Sequence, residues 1–497
     1  MNNFYLDNMI FGMKPFSITH KFGVNGKIAG NLAAIQEIEN TVAVLYGPKG
    51  CAFHYKYSTR ARNKPFYELE SVDFKNKDVI FGAEYKLKEL LLSIDENRKP
   101  DLIFIIPTVV SDIINDDLET IGKEIQSHIK AKVVVLKSQA FSHMDKTNSR
   151  KMLKEKANLN SGRKYSCSAE YKGCGYVEVM NALVEQVMQR KTIETNTVNI
   201  ESFIWGYDGT NKLLRIKEYL HKMGIKVNCF LPAANIVQIQ EAPSAQLNIV
   251  RRKQWAMKMQ KKFGSDYLHI SDMQEWHGVD GIIDFYMEIG KLLKCENTVE
   301  KFIENEKNKI IDRYNEIKAS FVKYKFALIS ESISDLGEKI RTYYDYGINL
   351  EKIFIILNPS FQEEYGLDKE TLGKIYNKIE LVKNTLNCNA QIIINPQENK
   401  IKEYLNPVDY IICSSNPLYS NFDKPCIPSF YSRPVFDFFS FMEIMEEIYR
   451  IVINKNETKK KLLLNRVDFN KYFYPLLEND VNSLASREMY SRMWRLR

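Results

Sequence analysis

The residue with the clearest chemical potential in this sequence is Cys51, which directly follows a strand-like segment. The β-branched run at 41–45 predicts a buried strand, and Gly47-Pro48-Lys49-Gly50 predicts a tight turn. Cys51 would therefore present its sulfur from the carboxyl end of a strand, where a helix begins and where open α/β sheets bind their ligands. A helix N-terminus and the downstream cations Arg60 and Arg62 would stabilise the thiolate of such a residue.

Two interpretations of Cys51 stay open at this point. A single cysteine is most often a buried structural thiol, and one ligand does not make a metal site. The alternative is one ligand of an iron–sulfur cluster that another chain completes, with Gly47 and Gly50 of the turn binding that cofactor. His54, three residues beyond Cys51, would then serve as a proton relay, although a lone histidine is more often simply hydrogen-bonded.

Two other pairs of charged residues are candidates for chemistry. Arg251 and Arg252 can hold an anionic substrate or a neighbouring carboxylate bidentately, so Arg252 is a candidate catalytic residue, and a structural ion pair is equally consistent with it. Asp116 and Asp117 have the residue types of an acid–base pair. Carboxylates at the start of a helix favour its dipole, and we prefer that structural interpretation for both.

The composition excludes several classes of protein. With 497 residues the chain is too long for one hydrophobic core, and we expect about two to four domains. The net charge of +8 comes from Lys and Arg scattered among 62 acidic residues, which is not a nucleic-acid-binding pattern. No run approaches the ~18 apolar residues of a membrane span, and the N-terminus lacks a signal-peptide pattern, so we expect a cytoplasmic protein. Eight widely spaced cysteines without a CxxC pair argue against a disulfide framework or zinc ribbon.

The first part of the chain alternates between predicted strands and helices. Residues 101–107, DLIFIIP, form an almost uninterrupted apolar run, as expected of a central parallel strand covered on both faces. Ser111 or Asp112 is expected to cap the following helix, and 132–137 to form the next strand. This order predicts a doubly wound α/β domain over residues 1–195.

A second unit, predicted for residues 196–324, repeats the pattern. Lys226 to Leu231 is a strand candidate, and residues 246–263 are predicted to be helical. Residues 296–322 are predicted to form one long amphipathic helix, because their apolar residues recur at helical spacing.

A third unit is predicted for residues 325–454, and residues 455–497 are expected to form a helical C-terminal extension. The strand candidates of the third unit are 326–329, 352–357, 391–394, 409–413 and 426–428. The fold class that follows is α/β: three doubly wound, Rossmann-like domains with parallel sheets around a shared cleft. Neither GxGxxG nor GxxxxGK[ST] occurs, so the chain is not expected to bind a nucleotide itself.

Three segments resemble the nitrogenase component 1 superfamily, which includes the nitrogenase α and β subunits, cofactor-assembly scaffolds and the light-independent protochlorophyllide reductase. The family's HGP-x-GC, VFGG-x-x-KL and TC-x-x-x-IGDD patterns have counterparts here in YGPKGC, IFGAEYKL and TVVSDIINDD, within residues 45–52, 78–91 and 99–121. Order and spacing agree as well as the letters. The resemblance extends over about residues 20–450.

The cysteine pattern departs from the family's. The resemblance implies three cysteine ligands per subunit: the first would fall near Gly26, the second is Cys51, and the third would follow Thr108, where this chain has Val109. In protochlorophyllide reductase one subunit supplies three cysteines and its partner supplies a carboxylate from the position matching Cys51. The resemblance therefore implies that this chain offers one ligand, across a subunit interface, to an iron–sulfur cluster of the [4Fe–4S] type or larger.

Cys167 and Cys174 are further candidate metal ligands under the same resemblance. They lie at the end of a polar, basic stretch, 142–172, that is typical of a surface insertion, and a helix is predicted from Tyr176. In a homodimer, two Cys51 thiolates could be joined by Cys167 or Cys174 to complete four ligands. The alternative is a pair of incidental surface thiols.

The positions that match the cofactor ligands of the nitrogenase α subunit look like Arg252 and Phe436, and neither residue binds iron. The resemblance therefore implies a β-type subunit of a nitrogenase-like, two-component oxidoreductase. Its partners would be a paralogous α-type subunit, or a second copy of this chain, and an ATP-dependent iron–sulfur reductase that alone holds the ATP. The alternative from a different class is a non-catalytic scaffold that completes an assembly.

Overall fold

The structure is a computed structural model, and it describes most of the chain with several gaps. The described residues are 27–59, 68–108, 110–111, 116–137, 167–202, 209–270, 278–330, 336–356, parts of 373–396, 398–413, 424–429 and 435–453.

Strands and helices alternate along the described residues. The strands are β1 (Thr41–Tyr46), β2 (Leu69–Ser71), β3 (Leu102–Pro107), β4 (Lys132–Val135), β5 (Glu194–Glu201), β6 (Lys226–Leu231), β7 (Ala245–Val250), β8 (Asp266–His269), β9 (Phe326–Ser330), β10 (Leu350–Ile355), β11 (Gln391–Ile394), β12 (Tyr410–Cys413) and β13 (Cys426–Pro428). The helices are α1 (Lys27–Ile35), α2 (Lys49–Thr59), α3 (Asn76–Phe81), α4 (Glu84–Arg98), α5 (Leu118–Gln126), α6 (Cys167–Gln186), α7 (Gly209–Lys222), α8 (Ile236–Glu241), α9 (Lys253–Phe263), α10 (Gly278–Leu293), α11 (Glu296–Asn308), α12 (Ile311–Phe321), α13 (Leu336–Asp345), α14 (Glu398–Leu405) and α15 (Phe438–Ile453).

These strands form three parallel sheets, with strand orders β2-β1-β3-β4, β6-β5-β7-β8 and β11-β10-β9-β12-β13. Their carboxyl ends therefore meet at one edge of each sheet, and β1 and β3 end together with Tyr46 beside Pro107. The predicted α/β class with several parallel sheets is confirmed. The domain boundaries stay predictions, as does the helical extension, since residues 455–497 lie outside the described part.

The first sheet is buried on both faces, which explains its nearly continuous apolar strands. Along β1, Val42 and Val44 pack into a cluster with the helices on one face, while Ala43 and Leu45 pack into a second cluster on the other. This second cluster continues into the second sheet and includes Trp255. The second and third sheets share another core.

Helix α15 joins the second and third units through ion pairs as well as through the core. Arg215 of α7 lies 2.7 Å from the carboxylate of Glu443, and its guanidinium stacks 4.1 Å from the ring of Phe439. Arg313 of α12 binds Glu446 through two parallel hydrogen bonds of 2.7 and 3.0 Å. These contacts hold α15 across two units.

Two predicted helices were wrong in part. Residues 246–250 belong to β7, which pairs with β5 and β8; a short apolar run cannot be assigned to helix or strand from periodicity alone. The predicted helix over 296–322 is two helices, because α11 ends at Asn308 and α12 begins at Ile311.

Two predicted helix starts also differ. Helix α5 is capped by Asp117, whose carboxylate accepts the backbone N–H of Thr120 at 3.1 Å, rather than by Ser111 or Asp112. Helix α6 begins at Cys167, earlier than the expected Tyr176. Among the described residues, no helix combines the length and apolar composition that crossing a membrane requires.

Candidate functional site

Cys51 lies where the sequence predicts it, at the carboxyl end of the first sheet. It is the third residue of α2, directly after the turn that follows β1, and its backbone N–H donates to the carbonyl of Pro48 at 3.1 Å. The side chain is half-buried against the core shared by the first and second sheets. We call the carboxyl edge of the first sheet, with Tyr46 and Cys51, the Cys51 edge.

Gly47 is fixed at this edge by close packing. A Cβ atom there would lie 2.7 Å from Cγ2 of Thr108, which follows β3, and the Thr108 hydroxyl donates to the carbonyl of Tyr46 at 2.9 Å. The carbonyl of Gly47 accepts the Ser71 hydroxyl at 2.8 Å. Gly50 differs, since no heavy atom of the described residues lies within 4 Å of a Cβ built there. Packing thus explains Gly47, whereas no described residue outside helix α2 packs against Gly50.

The electrostatics of Cys51 differ from the expectation of a stabilised thiolate. Burial raises the pKa of the Cys51 thiol. At the start of the same helix, the backbone N–H of Lys49 donates to the carboxylate of Asp73. The expected cations Arg60 and Arg62 lie outside the described residues. A thiol in this state is a poor nucleophile and must lose its proton to bind a metal.

Tyr55 is a neighbour of Cys51 that the sequence analysis missed. It follows Cys51 by four residues, which places both on one side of α2. Burial, followed by the charge of Cys51, raises the pKa of Tyr55 to about 12, so the phenol stays protonated. The ring of the exposed His54 contacts that of Tyr55 edge-on, with 5.6 Å between the ring centres. The i, i+4 spacing was the available signal for Tyr55.

The Cys51 edge also exposes large apolar side chains. Phe53 is 69% exposed, and Ile80 and Phe81 at the end of α3 are 74% and 85% exposed. The turn after α3 is bound to the same edge, because the backbone N–H of Ala83 donates to the hydroxyl of Tyr46 at 3.2 Å. Exposed apolar side chains therefore occur on both α2 and α3, the two helices next to the end of β1.

Arg252 lies at the corresponding edge of the second sheet, which we call the Glu201 edge after the last residue of β5. Its guanidinium forms an ion pair with the fully buried Glu201. The same carboxylate accepts the backbone N–H groups of Arg251 and Arg252 at 2.9 and 3.0 Å and the Trp255 indole N–H at 3.2 Å. Arg252 thus makes the ion pair that was one of its two interpretations, and a catalytic role for it stays a prediction.

The remaining polar groups of the Glu201 edge are also bonded. Tyr176 of α6 stacks on the guanidinium of Arg252, with 4.1 Å to the ring centre, and its hydroxyl lies 3.3 Å from that of Ser202. Ser202 in turn donates to Glu37, which precedes β1. Burial raises the pKa of Tyr176 well above its ordinary value. This network connects the second sheet to the first.

The other predicted ligand positions are described only in part. Cys167 and Cys174 lie on α6, and their side chains are outside the described residues. Phe436 is a core residue, with its ring centre 4.6 Å from that of Phe285.

Helix α6 crosses α1 closely near Cys174. A Cβ at the next residue, Gly175, would overlap the carbonyl oxygen of Lys27, the first residue of α1. The backbone at Cys174 therefore lies beside the start of α1, close in sequence to Gly26.

The described residues do not provide a complete metal site. Among them, no group of three or more His, Cys, Asp or Glu side chains could hold a metal ion. An iron–sulfur cluster takes four ligands, usually cysteine thiolates, so these residues alone do not fit one. They can provide one ligand, Cys51, to a cluster that other residues complete. No described residue outside helix α2 packs against the neighbouring Gly50.

Comparison with known proteins places these features in a family. The chain is 27% identical over 383 residues to the nitrogenase iron-molybdenum cofactor biosynthesis protein NifE of Clostridium pasteurianum, covering 73% of this chain and 76% of that protein. It is 22% identical over 284 residues to a subunit of the light-independent protochlorophyllide reductase of Anthoceros angustus, covering 56% of this chain and about half (51%) of that protein.

A solved structure shows the same fold. The structure titled nitrogenase Cp1 at pH 5 superimposes with a TM-score of 0.56 at 16% identity, over 89% of this chain and 91% of that chain. The sequence model described as nitrogenase component 1 type oxidoreductase matches residues 27–159 and 168–420, which is more than half of the chain. The resemblance seen in the three motifs is thereby confirmed, and the chain belongs to the nitrogenase component 1 type oxidoreductase family.

Proposed function

We propose that this chain is a β-type subunit of a nitrogenase-like, two-component oxidoreductase, in which Cys51 supplies one ligand to an iron–sulfur cluster at a subunit interface. The observation that carries the proposal is the position of Cys51. It is half-buried in α2 just after β1, and the same end of the first sheet has large exposed apolar side chains, Phe53 in α2 and Ile80 and Phe81 at the end of α3, exposed by 69% to 85%. Exposed apolar side chains of this size mark surfaces that bind other proteins.

The chain's own residues account for how the ligand would be presented. The packing of Gly47 against Thr108 fixes the turn, and α2 then fixes the direction of the Cys51 side chain. The thiol is protonated at neutral pH, because burial raises its pKa, so binding iron would release a proton. Tyr55, one helical turn away, is close enough for the charge of a Cys51 thiolate to contribute to the raised pKa of its phenol. A cluster bound there would supply one-electron transfer at low potential.

Other chains must complete this arrangement. Because no group of three or more His, Cys, Asp or Glu side chains among the described residues could hold a metal, the other ligands would have to come from a paralogous α-type subunit, a second copy of this chain, or Cys167 or Cys174. The electrons would come from a separate ATP-dependent iron–sulfur reductase, since this sequence contains neither of the phosphate-binding glycine motifs.

A second candidate function is a scaffold for cofactor assembly. It is favoured by the Glu201 edge, where the Arg252 guanidinium is paired with Glu201 and stacked on Tyr176. The matching position in nitrogenase is a cofactor ligand, so a chain with this ion pair in its place would act by binding partners rather than by holding an active cofactor. The similarity to a cofactor biosynthesis protein points the same way.

Electron transfer separates the two functions. The assembly, purified anaerobically with its co-expressed paralogue, is mixed with an ATP-dependent iron–sulfur reductase and followed by EPR with and without ATP. The oxidoreductase function predicts an ATP-dependent reduction of the interface cluster that is lost in Cys51→Ala. A cluster that is present but not reduced under any condition would contradict it and support the scaffold.

A further inference from the structure

A pair of cysteines in the third sheet has no part in the proposed function. Cys413 is the last residue of β12 and Cys426 the first residue of β13, and the two strands are adjacent and parallel. In their register Ile411 faces Cys426 and Cys413 faces Pro428, so the two cysteines are offset by two residues. Because side chains alternate with a period of two, both sulfurs point to the same face of the sheet.

The distance between the sulfurs is informative. The two Sγ atoms are 2.6 Å apart, although both residues are thiols in the structure. A disulfide bond measures about 2.05 Å, so the sulfurs must approach by about half an ångström. Residues offset by two on adjacent strands are about 7–8 Å apart, so closure also needs a small shift of the strand backbone. Two thiolates on one tetrahedral zinc would be about 3.8 Å apart, given zinc–sulfur bonds of about 2.3 Å. The arrangement therefore favours a bond between the sulfurs over a shared metal.

The two thiols differ in access to solvent, which sets the order of reaction. Cys413 is only 1% exposed and packs in an apolar cluster with Ile329 and Ile411, whereas Cys426 is half-buried at the margin of that cluster. An external reagent can therefore reach Cys426 first, while Cys413 is placed to react only with Cys426.

We propose that Cys413 and Cys426 form a reversible disulfide, with a small-molecule disulfide such as oxidised glutathione as the oxidant. The Cys426 thiolate attacks the oxidant, forms a mixed disulfide and displaces one thiolate. The Cys413 thiolate then attacks Sγ of Cys426 and displaces the second. The protein dithiol loses two electrons and two protons, and one oxidant becomes two thiols.

The bond would act on a weakly held edge strand. Strand β13 has three residues and pairs only with β12 in the described part of the sheet, with a further hydrogen bond of 2.9 Å from the Ile411 N–H to the carbonyl of Pro425. A covalent link at the carboxyl end of β12 would fix this strand at the edge where α/β sheets bind ligands. Oxidation would thus change the third unit without involving Cys51.

The experiment equilibrates the full chain, in its native assembly, with mixtures of reduced and oxidised glutathione under anaerobic conditions. Acid quenching, alkylation in denaturant and non-reducing peptide mass spectrometry follow. We expect a linked pair of peptides containing Cys413 and Cys426, lighter by two hydrogen atoms, and a corresponding loss of alkylation at both. The half-buried Cys388 is the control thiol and should remain alkylated at the same glutathione ratio.

Two variants, Cys413→Ser and Cys426→Ser, test the order of reaction. If Cys413→Ser does not fold, Cys413→Ala is used in its place. Cys413→Ser should accumulate a glutathione adduct on Cys426, whereas Cys426→Ser should leave Cys413 unmodified. If both cysteines of the wild-type chain stay fully alkylated at every ratio, or if Cys388 oxidises as readily as the pair, the proposal fails. These outcomes do not depend on iron content, so they are separate from those that test the proposed function.

Discussion

The Cys51 edge and the Glu201 edge both lie at the carboxyl ends of parallel strands, yet their residues differ in exposure and in hydrogen bonding. The Cys51 edge has a half-buried thiol in α2 and the mostly exposed apolar side chains of Phe53, Ile80 and Phe81 in α2 and α3. At the Glu201 edge a fully buried carboxylate accepts hydrogen bonds from backbone, guanidinium and indole groups. The first edge has surface left for a partner, and the second has its polar groups bonded within the chain.

This difference shows that the position of a sheet edge does not determine its use. Both edges lie where α/β folds bind ligands, and both carry a residue with chemical potential. At the Glu201 edge the burial of Glu201 and its bonds to Arg252 and Trp255 make the charge part of the interior. The following predictions test whether the two edges differ in this way.

The largest effect on stability is expected at the Glu201 edge. Replacing Glu201 by Ala leaves Arg252 without its carboxylate and Trp255 without its acceptor, and we expect a loss of about 3–5 kcal/mol. The measurement is the urea and thermal midpoint of unfolding. The control is Glu443→Ala, which removes a partly exposed carboxylate 2.7 Å from Arg215 and should cost no more than about 1 kcal/mol. Equal losses in the two variants would contradict the structural role of Glu201.

The next effect is expected in assembly rather than in folding. Phe81→Glu places a charge among the exposed apolar side chains of the Cys51 edge. It should weaken the association of this chain with its paralogue by at least about 2 kcal/mol, because large apolar anchors dominate interfaces. Sedimentation or size-exclusion chromatography of the co-expressed proteins measures it. The control is Val322→Glu, at a side chain 71% exposed just after α12. Association unchanged by Phe81→Glu would mean that this surface is not the interface.

Two glycines of one turn should differ in how strongly they respond to the same substitution. Gly47→Ala forces a Cβ against Thr108 and should destabilise the protein by about 1–3 kcal/mol. Gly50→Ala meets no described atom and should change stability by less than about 1 kcal/mol, either way. Thermal unfolding compares them. A large loss for Gly50→Ala would show that its space is already filled.

The smallest effect concerns the pH dependence of two thiols, Cys51 in α2 and Cys229 in β6. Burial raises the pKa of Cys51 and raises that of Cys229 on β6 to about 12, so both carry less thiolate at a given pH than an ordinary thiol. Alkylation of Cys51 should be slower than that of an unfolded-chain cysteine at pH 8 and should accelerate as pH rises. Cys229 should react only on unfolding. Rates from mass spectrometry test this, and faster alkylation of Cys51 than of the unfolded reference would contradict it.

Much of the fold could be predicted because its strands are local apolar runs. The central strand at 102–107 is apolar throughout and buried on both faces, and the short strands at 391–394 and 426–428 were predicted with their observed bounds. The strand at 245–250 was missed because it carries Asn248, which is buried and accepts a hydrogen bond of 2.8 Å from the side chain of Asn199, 49 residues away. Such a partner leaves no local signal.

The candidate site, like the fold, was predictable from the sequence only where it depends on residues near each other in the chain. The position of Cys51 after a strand and a glycine turn follows from nearby residues, and the sequence predicts it. The Arg252 ion pair depends on Glu201, which is 51 residues away, and the raised pKa of Cys51 depends on the core around it. These properties arise from contacts between residues that are far apart in the sequence, so spacing along the chain does not reveal them.

Whether Cys51 is an interface iron ligand is decided by the iron and acid-labile sulfide content, with EPR, of the chain purified anaerobically with its co-expressed paralogue. We expect about four iron atoms per interface, loss of that iron in Cys51→Ala, and retention in Cys295→Ala, a control at the half-buried thiol before α11. Iron fully retained in Cys51→Ala, or no iron in any preparation, would contradict it.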